Sequence, residues 1–214
     1  MTKVLVIGAS RGIGLETVKA LLAKNYEVRA FARSTATIPL DDERLEKVDG
    51  DALDRRDIDR ALEGVDAVIQ SLGVLFGPQT VLKGTTLFST SSRVLVDAMR
   101  TKGIKRLIAV TGLGAGDSRG HGGLLYSALL FPLVLKRVYD DKDVEEQIVR
   151  ASGLDWTIVR PGLLTSGATR GRYQALTDPK SWRAGSISRG DVGEFLARQV
   201  EERTYIGQTP VLID

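Results

Sequence analysis

The sequence of 214 residues predicts an α/β protein, a doubly wound parallel sheet with a small C-terminal lobe, read as one domain over residues 1–214. Three observations carry that expectation. Apolar runs of strand length alternate with segments of helical period. The runs are apolar almost throughout, as parallel strands covered on both faces are. No internal repeat or low-complexity tract interrupts them, and 43% hydrophobic content is ample for a core of this size.

In chain order, VLVIGA (residues 4–9) is the first strand, and the segment from Thr17 to Lys24 presents one apolar face, as a covering helix does. EVRAFA (27–32) is the second strand and RLEKV (44–48) a weaker third; AVIQSL (67–72) is the fourth. A helix follows with Leu87, Val94, Leu95, Ala98 and Met99 on its apolar face, stopped by Gly103 where a C-cap is expected. RLIAVT (106–111) and WTIVR (156–160) complete the strands. In such sheets ligands bind beyond the carboxyl ends of the strands, so the loops after the strands are the places to search.

Composition narrows the classes. The chain has no cysteine, which excludes disulfides, thiolate metal sites and cysteine nucleophiles and fits a reducing, cytoplasmic setting. The first strand begins so early that no leader fits before it, and the mature protein is expected to start at Met1. A net charge of +3, from 30 basic and 27 acidic residues without a basic block, argues against nucleic acid and is mild enough simply to favour anionic ligands. The longest apolar stretch, LLYSALLFPLVL (124–135), holds 12 residues including Tyr126, Ser127 and Pro132. A membrane span needs roughly 20. It is read as a lid over an apolar pocket or a buried helix kinked at Pro132, with peripheral membrane contact left open. The expected partner is a small-molecule substrate, and monomer and homodimer are both open.

The chemistry begins at GASRGIG, residues 8–14, between the first strand and the first helix. Glycine is a poor helix former. Gly8, Gly12 and Gly14 at such a junction let backbone N–H groups approach a pyrophosphate, towards which the following helix points its positive end. A purely structural turn is the competing reading, and the alternating α/β context favours the dinucleotide. An NAD-binding chain usually offers an acid about 20 residues further on for the ribose 2′-hydroxyl. Here AFARSTATIPL has none, and Arg33, with Arg11 in the glycine loop, suits a 2′-phosphate. NADP(H) is therefore expected over NAD(H), two solvated surface arginines being the alternative.

The GxxxGxG spacing resembles the short-chain dehydrogenase/reductase superfamily, which implies a Rossmann-type fold. Four further stretches, in order, are similar to its atypical branch of NAD(P)H-binding flavin or biliverdin reductase-like and NmrA-like proteins: GDALD (50–54), QSLG (70–73), SGLDWTIVRPGLL (152–164) and ISRGDVGEFLA (187–197). The resemblance implies a cofactor site formed by Gly8, Ser10, Arg11, Gly12, Ile13, Gly14 and Arg33, with Asp51 and Ala52 facing the adenine. It also implies Ser71, Leu72 and Gly73 beside the adenosine, Thr111 and Lys142 near the nicotinamide, and the turn Pro161, Gly162 and Leu163. Residues from about 160 to 214 would complete a substrate lobe, with Leu163, Leu164 and the run 124–135 as pocket walls.

The catalytic pattern departs from the family. Its main branch uses a tyrosine four residues before a lysine and a serine after the fifth strand. Lys142 falls at the lysine position, but Val138 stands at the tyrosine and Gly112, after Thr111, at the serine. Tyr139 lies three residues before Lys142, turned about 100° from the expected direction. It is either a displaced acid or an aromatic packed at a helix start. Thr111 either hydrogen-bonds the nicotinamide amide or a substrate oxygen, or merely ends a strand. Lys142 is expected to reach the nicotinamide ribose, the alternative being a surface lysine between Asp141 and Asp143. His121, the single histidine, has no partner set for zinc and is a surface residue or a proton donor on a folded loop; Asp117 and Ser118 share that ambiguity.

Reducing a carbonyl needs a positioned proton donor, whereas a planar flavin or quinone holds the charge in its own rings. The expectation is an NADPH-dependent oxidoreductase passing hydride to a flavin, quinone or similar acceptor, with catalytic candidates Thr111, Tyr139 and Lys142. The alternatives are a cofactor-binding sensor without turnover and, less favoured, a sugar-nucleotide epimerase.

Overall fold

The computed structural model describes residues 1–74, 84–121, 136–167 and 169–214. The run read as a lid, 124–135, lies outside the described residues.

Eight strands form the central sheet in the order β3-β2-β1-β4-β5-β6-β10-β8. They are β1 (Lys3–Ile7), β2 (Glu27–Ala32), β3 (Leu45–Asp49), β4 (Ala67–Gln70), β5 (Arg106–Val110), β6 (Asp155–Pro161), β8 (Gln174–Leu176) and β10 (Val211–Ile213). All pair parallel except β8, which runs antiparallel to β10 at the edge. A separate parallel pair joins β7 (Leu163–Thr165) to β9 (Ser186–Ser188).

Alternation along the strands assigns the two faces. Val4, Val6, Val28 and Ala30 pack with Val18, Leu21 and Leu22 of α1 (Gly12–Ala23) and with Val192, Phe195 and Leu196 of α5 (Arg189–Arg198). Leu5, Ile7, Val68, Leu107 and Ala109 pack on the other face with Ile58 of α2 (Arg55–Ala61), Leu95 and Met99 of α3 (Leu87–Lys102) and Val149 of α4 (Lys136–Arg150). This is the Rossmann-type doubly wound architecture. Its topological switch lies between β1 and β4, the two strands whose outer neighbours are reached in opposite directions.

The expected elements are present with shifted ends. The first strand stops at Ile7, because Gly8 turns to a positive φ of 86° that a strand cannot continue through. The first helix starts at Gly12, well before Thr17, so two of the three glycines belong to its first turn. AVIQSL is extended only to Gln70. Helix α3 closes on Gly103 in the left-handed region, φ 73°, as its C-cap glycine requires. Helix α2 was not foreseen; Asp54 caps it by accepting the Arg56 N–H at 2.7 Å.

Candidate functional site

The carboxyl ends of β1, β4, β5 and β6 converge on one rim, and the three glycines at β1 divide the labour there. A Cβ on Gly8 would lie 2.4 Å from the Ser71 carbonyl oxygen, and one on Gly14 would lie 2.2 Å from the Gly8 carbonyl oxygen. These two permit close backbone packing: Gly8 seats β1 against the end of β4, and Gly14 seats α1 on the turn. Gly12, at φ 59°, has nothing within 4 Å of its Cβ direction. It is the glycine that leaves open space in front of the helix. The helix start itself carries no side-chain cap from Arg11 and no acid in its first turn, so its first N–H groups remain available to an anion.

The loop after β2 is fastened from below. Asp49, at the end of β3, accepts both the Thr35 N–H and the Thr35 hydroxyl at 2.7 Å. These two bonds hold the Asp49 carboxyl below the usual carboxylate range. Arg33, two residues earlier, and Arg11 are both exposed, and neither forms an ion pair or side-chain hydrogen bond among the described residues. Asp51 is exposed and accepts the Leu53 N–H at 3.0 Å, making the turn that leads into α2, while Ala52 is buried beneath it. Ser71 donates its N–H to the Ile7 carbonyl at 2.9 Å, and Leu72 and Gly73 continue along the same rim.

At β5 the structure departs from the expectations. The Tyr139 hydroxyl oxygen lies 2.7 Å from where a Gly112 Cβ would stand, the position at which the family has its serine. Val138, at the family's tyrosine position, is buried instead. Thr111 neither faces outward nor merely ends a strand. It is buried, and its hydroxyl donates to Glu146 Oε1 at 2.8 Å. Lys142 is not a surface lysine. It is buried, donates to the Val110 carbonyl at 3.3 Å and lies 3.9 Å from the Phe88 ring centroid. Burial lowers its pKa from the ordinary lysine value, against the opposing pull of Glu145, Glu146 and Asp141.

Behind these residues runs an ionic network, centred on buried Arg160 and Glu146, that the sequence reading missed. Arg160, fully buried on β6, binds Glu146 in a fork, Nε to Oε1 at 2.9 Å and Nη2 to Oε2 at 2.6 Å. It also meets Asp117 at 2.6 Å and stacks over Trp182 at 5.1 Å. Arg150 reaches Asp117 and Glu146 at 3.6 and 3.7 Å. Burial works to raise the Asp117 carboxyl, but the bond and charge of Arg160, with Arg150, hold it below the ordinary value. Asp117 is thus an ion-pair partner, and Ser118 closes its own turn by donating to the Ala115 carbonyl at 2.7 Å. His121 packs edge-on against Trp182 at 5.6 Å, half-buried rather than on the surface. The available signal was an arginine inside the otherwise apolar WTIVR: a charge in a buried strand demands a carboxylate nearby.

At the end of β6, Pro161 is buried, Gly162 packs against the Gly185 carbonyl and Leu163 is 73% exposed. Leu164 does not line the rim with it but packs into the core beside α1. Among the described residues no group of three or more His, Cys, Asp or Glu is placed to hold a metal ion, and no helix is long and apolar enough to cross a membrane.

A switch-point rim with an uncapped helix start, an open glycine and two arginines unpaired among the described residues defines a dinucleotide-binding protein. The chain belongs to the NAD(P)H-binding family, whose profile matches residues 8–203. It is similar to an uncharacterised sugar epimerase, YhfK, of Bacillus subtilis, with 30% identity over 94% of this chain and 89% of that protein. Sterol demethylase protein B of Methylococcus capsulatus is 31% identical over 75% of this chain, which spans only 51% of that relative's length. Among solved structures, ChuY of Escherichia coli O157:H7, described as an anaerobillin reductase, superposes with a TM-score of 0.80 at 26% identity, covering 99% of this chain and 97% of that one.

Proposed function

We propose that this protein is an NADPH-dependent reductase that passes hydride to a flavin, a quinone or a similar planar acceptor. The observation that carries the reading is the pair Gly112 and Tyr139: the serine of carbonyl reduction is absent, and a tyrosine hydroxyl fills its place. The Thr111 hydroxyl is committed as a hydrogen-bond donor to Glu146 Oε1. The serine–tyrosine arrangement of carbonyl reduction is therefore not reproduced here, which suits an acceptor whose own ring system stabilises the incoming charge. The similarity to an anaerobillin reductase supports the same class.

The residues present fit the cofactor. Gly12 and the first turn of α1 receive the pyrophosphate, Arg33 and Arg11 take the 2′-phosphate, and Asp51 with Ala52 lies towards the adenine. Ser71, Leu72 and Gly73 flank the adenosine. When bound, the nicotinamide supplies the hydride. Lys142 holds the ribose hydroxyls at the end of β5, and Pro161, Gly162 and Leu163 border the ring. The segment from about 160 onward, with Leu163 exposed, provides the substrate lobe. The absence of cysteine favours a reducing compartment, the cytoplasm.

A second reading, a sensor that binds cofactor without turnover, draws on the same Val138 and Gly112 substitutions. NADPH oxidation followed against FMN, a quinone, an anaerobillin and an aldehyde separates the two. Turnover with a planar acceptor supports the reductase, turnover with the aldehyde alone refutes it, and NADPH binding without any turnover establishes the sensor.

A further inference from the structure

Lys142 is accompanied on α4 by three acids, Asp141, Glu145 and Glu146, and the structure gives each a different employment. Asp141 accepts the Phe88 N–H at 2.9 Å and the Ser89 N–H at 3.4 Å, capping the start of α3. Glu146 is shared between Thr111 and the Arg160 fork. Glu145 is 1% exposed and accepts the Ser92 hydroxyl on Oε1 at 3.4 Å, while its Oε2 has no hydrogen-bond partner among the described residues. That bare oxygen is the one facing Lys142 Nζ, at 3.8 Å. Ser92 is tied in turn to Gln70, whose amide donates to it at 3.0 Å from the end of β4.

We propose that Glu145 is the positioning residue for Lys142, the buried counter-charge that keeps its ammonium ionised and held at the carboxyl end of β5 for the ribose hydroxyls of a nicotinamide cofactor. The inference deepens the site reading above and rests on its assignment of Lys142 to the ribose. An ammonium buried beside an aromatic ring and one carbonyl gives up its proton unless a charge offsets its lost hydration. Asp141 and Glu146 contribute at a distance but are committed elsewhere, so Glu145 is the acid with an oxygen to spare. The groups facing it are Lys142, Glu146 and Asp141 on its own helix, Ser92 from α3, Gln70 from β4, the Val110 carbonyl from β5 and, through Glu146, Arg160 from β6. Burial pushes the Glu145 carboxyl up to about 7, against the pull of Lys142. The counter-charge is thus present above neutrality and lost below it.

The test is calorimetric binding of NAD+, which lacks the titrating 2′-phosphate, between pH 6 and 8 to the wild type, Glu145→Gln and Lys142→Met, each checked by circular dichroism. Glutamine keeps the size and the Ser92 contact and removes only the charge. The wild type is expected to bind more weakly as the pH falls through 7. Glu145→Gln is expected to bind about tenfold more weakly at pH 8, the scale of one charge-assisted contact, and to show no further weakening as the pH falls. Wild-type affinity and pH profile in Glu145→Gln, with weakened binding in Lys142→Met, overturn the role of Glu145 alone. Unchanged binding in Lys142→Met overturns the ribose assignment and the proposal with it. If Glu145→Gln does not fold, wild-type binding at pH 7 in two buffers of different ionisation heat decides: proton release supports the proposal, and none refutes it.

Discussion

The Tyr139 hydroxyl stands 2.7 Å from where a Gly112 Cβ would be, so the ring fills the space that a side chain at position 112 would need. Gly112→Ser would drive a side chain into that hydroxyl, at a backbone φ of 156°. It is expected to cost about 1–3 kcal/mol and to displace the ring, read as a lower unfolding midpoint in urea and altered tyrosine fluorescence.

Removing the hydroxyl itself separates chemistries. Tyr139→Phe is expected to leave reduction of a planar acceptor within a few-fold of wild type. A fall of about 10²-fold or more, the contribution of a positioned general acid, would make Tyr139 the proton donor and contradict the proposed reaction.

Arg33→Ala should weaken NADPH binding by about tenfold or more and leave NADH binding nearly unchanged, because a guanidinium discriminates through the 2′-phosphate alone. Equal losses for the two cofactors, measured by fluorescence titration, would return Arg33 to the solvent.

The glycines should respond differently to side chains. Gly12→Val is expected to abolish dinucleotide binding with a normal circular dichroism spectrum, since the open space before α1 is filled. Gly14→Ala, whose methyl would meet the Gly8 carbonyl oxygen at 2.2 Å, should unfold at markedly lower temperature.

Glu145 also leaves a signature in stability. Its folded-state pKa, about 7, exceeds the ordinary 4.5, so the native state holds the proton more tightly than the unfolded chain. The stabilisation is complete below about pH 4.5 and is lost as the pH rises through 7. Urea unfolding should show this loss in the wild type and a flatter profile in Glu145→Gln.

Much of this was legible because parallel strands announce themselves. VLVI is apolar for want of any exposed face, EVRAFA and RLIAV are largely so, and GASRGIG stands where sheet becomes helix. The ends were less legible: Gly8 and Gly12 look alike in the sequence, and only the neighbouring Ser71 carbonyl distinguishes a packing glycine from an open one. The Arg160–Glu146 fork was hidden because its partners lie on different elements. The approach of Tyr139 to Gly112 was not legible, because a helix-face argument counts residues along one helix and cannot see the room that a glycine on another element leaves for a ring.

Gly193 of α5 holds a consequence for anyone wishing to borrow the cofactor site. A Cβ there would come within 2.7 Å of the Glu16 backbone, so the last helix lies directly on the one whose start faces the phosphates. A fragment ending after α4 would strip cover from Val18 and Leu21 and expose an apolar stripe to water. The nucleotide grip cannot be transplanted as an N-terminal cassette; grafting it onto another scaffold means carrying the chain through to its final helix.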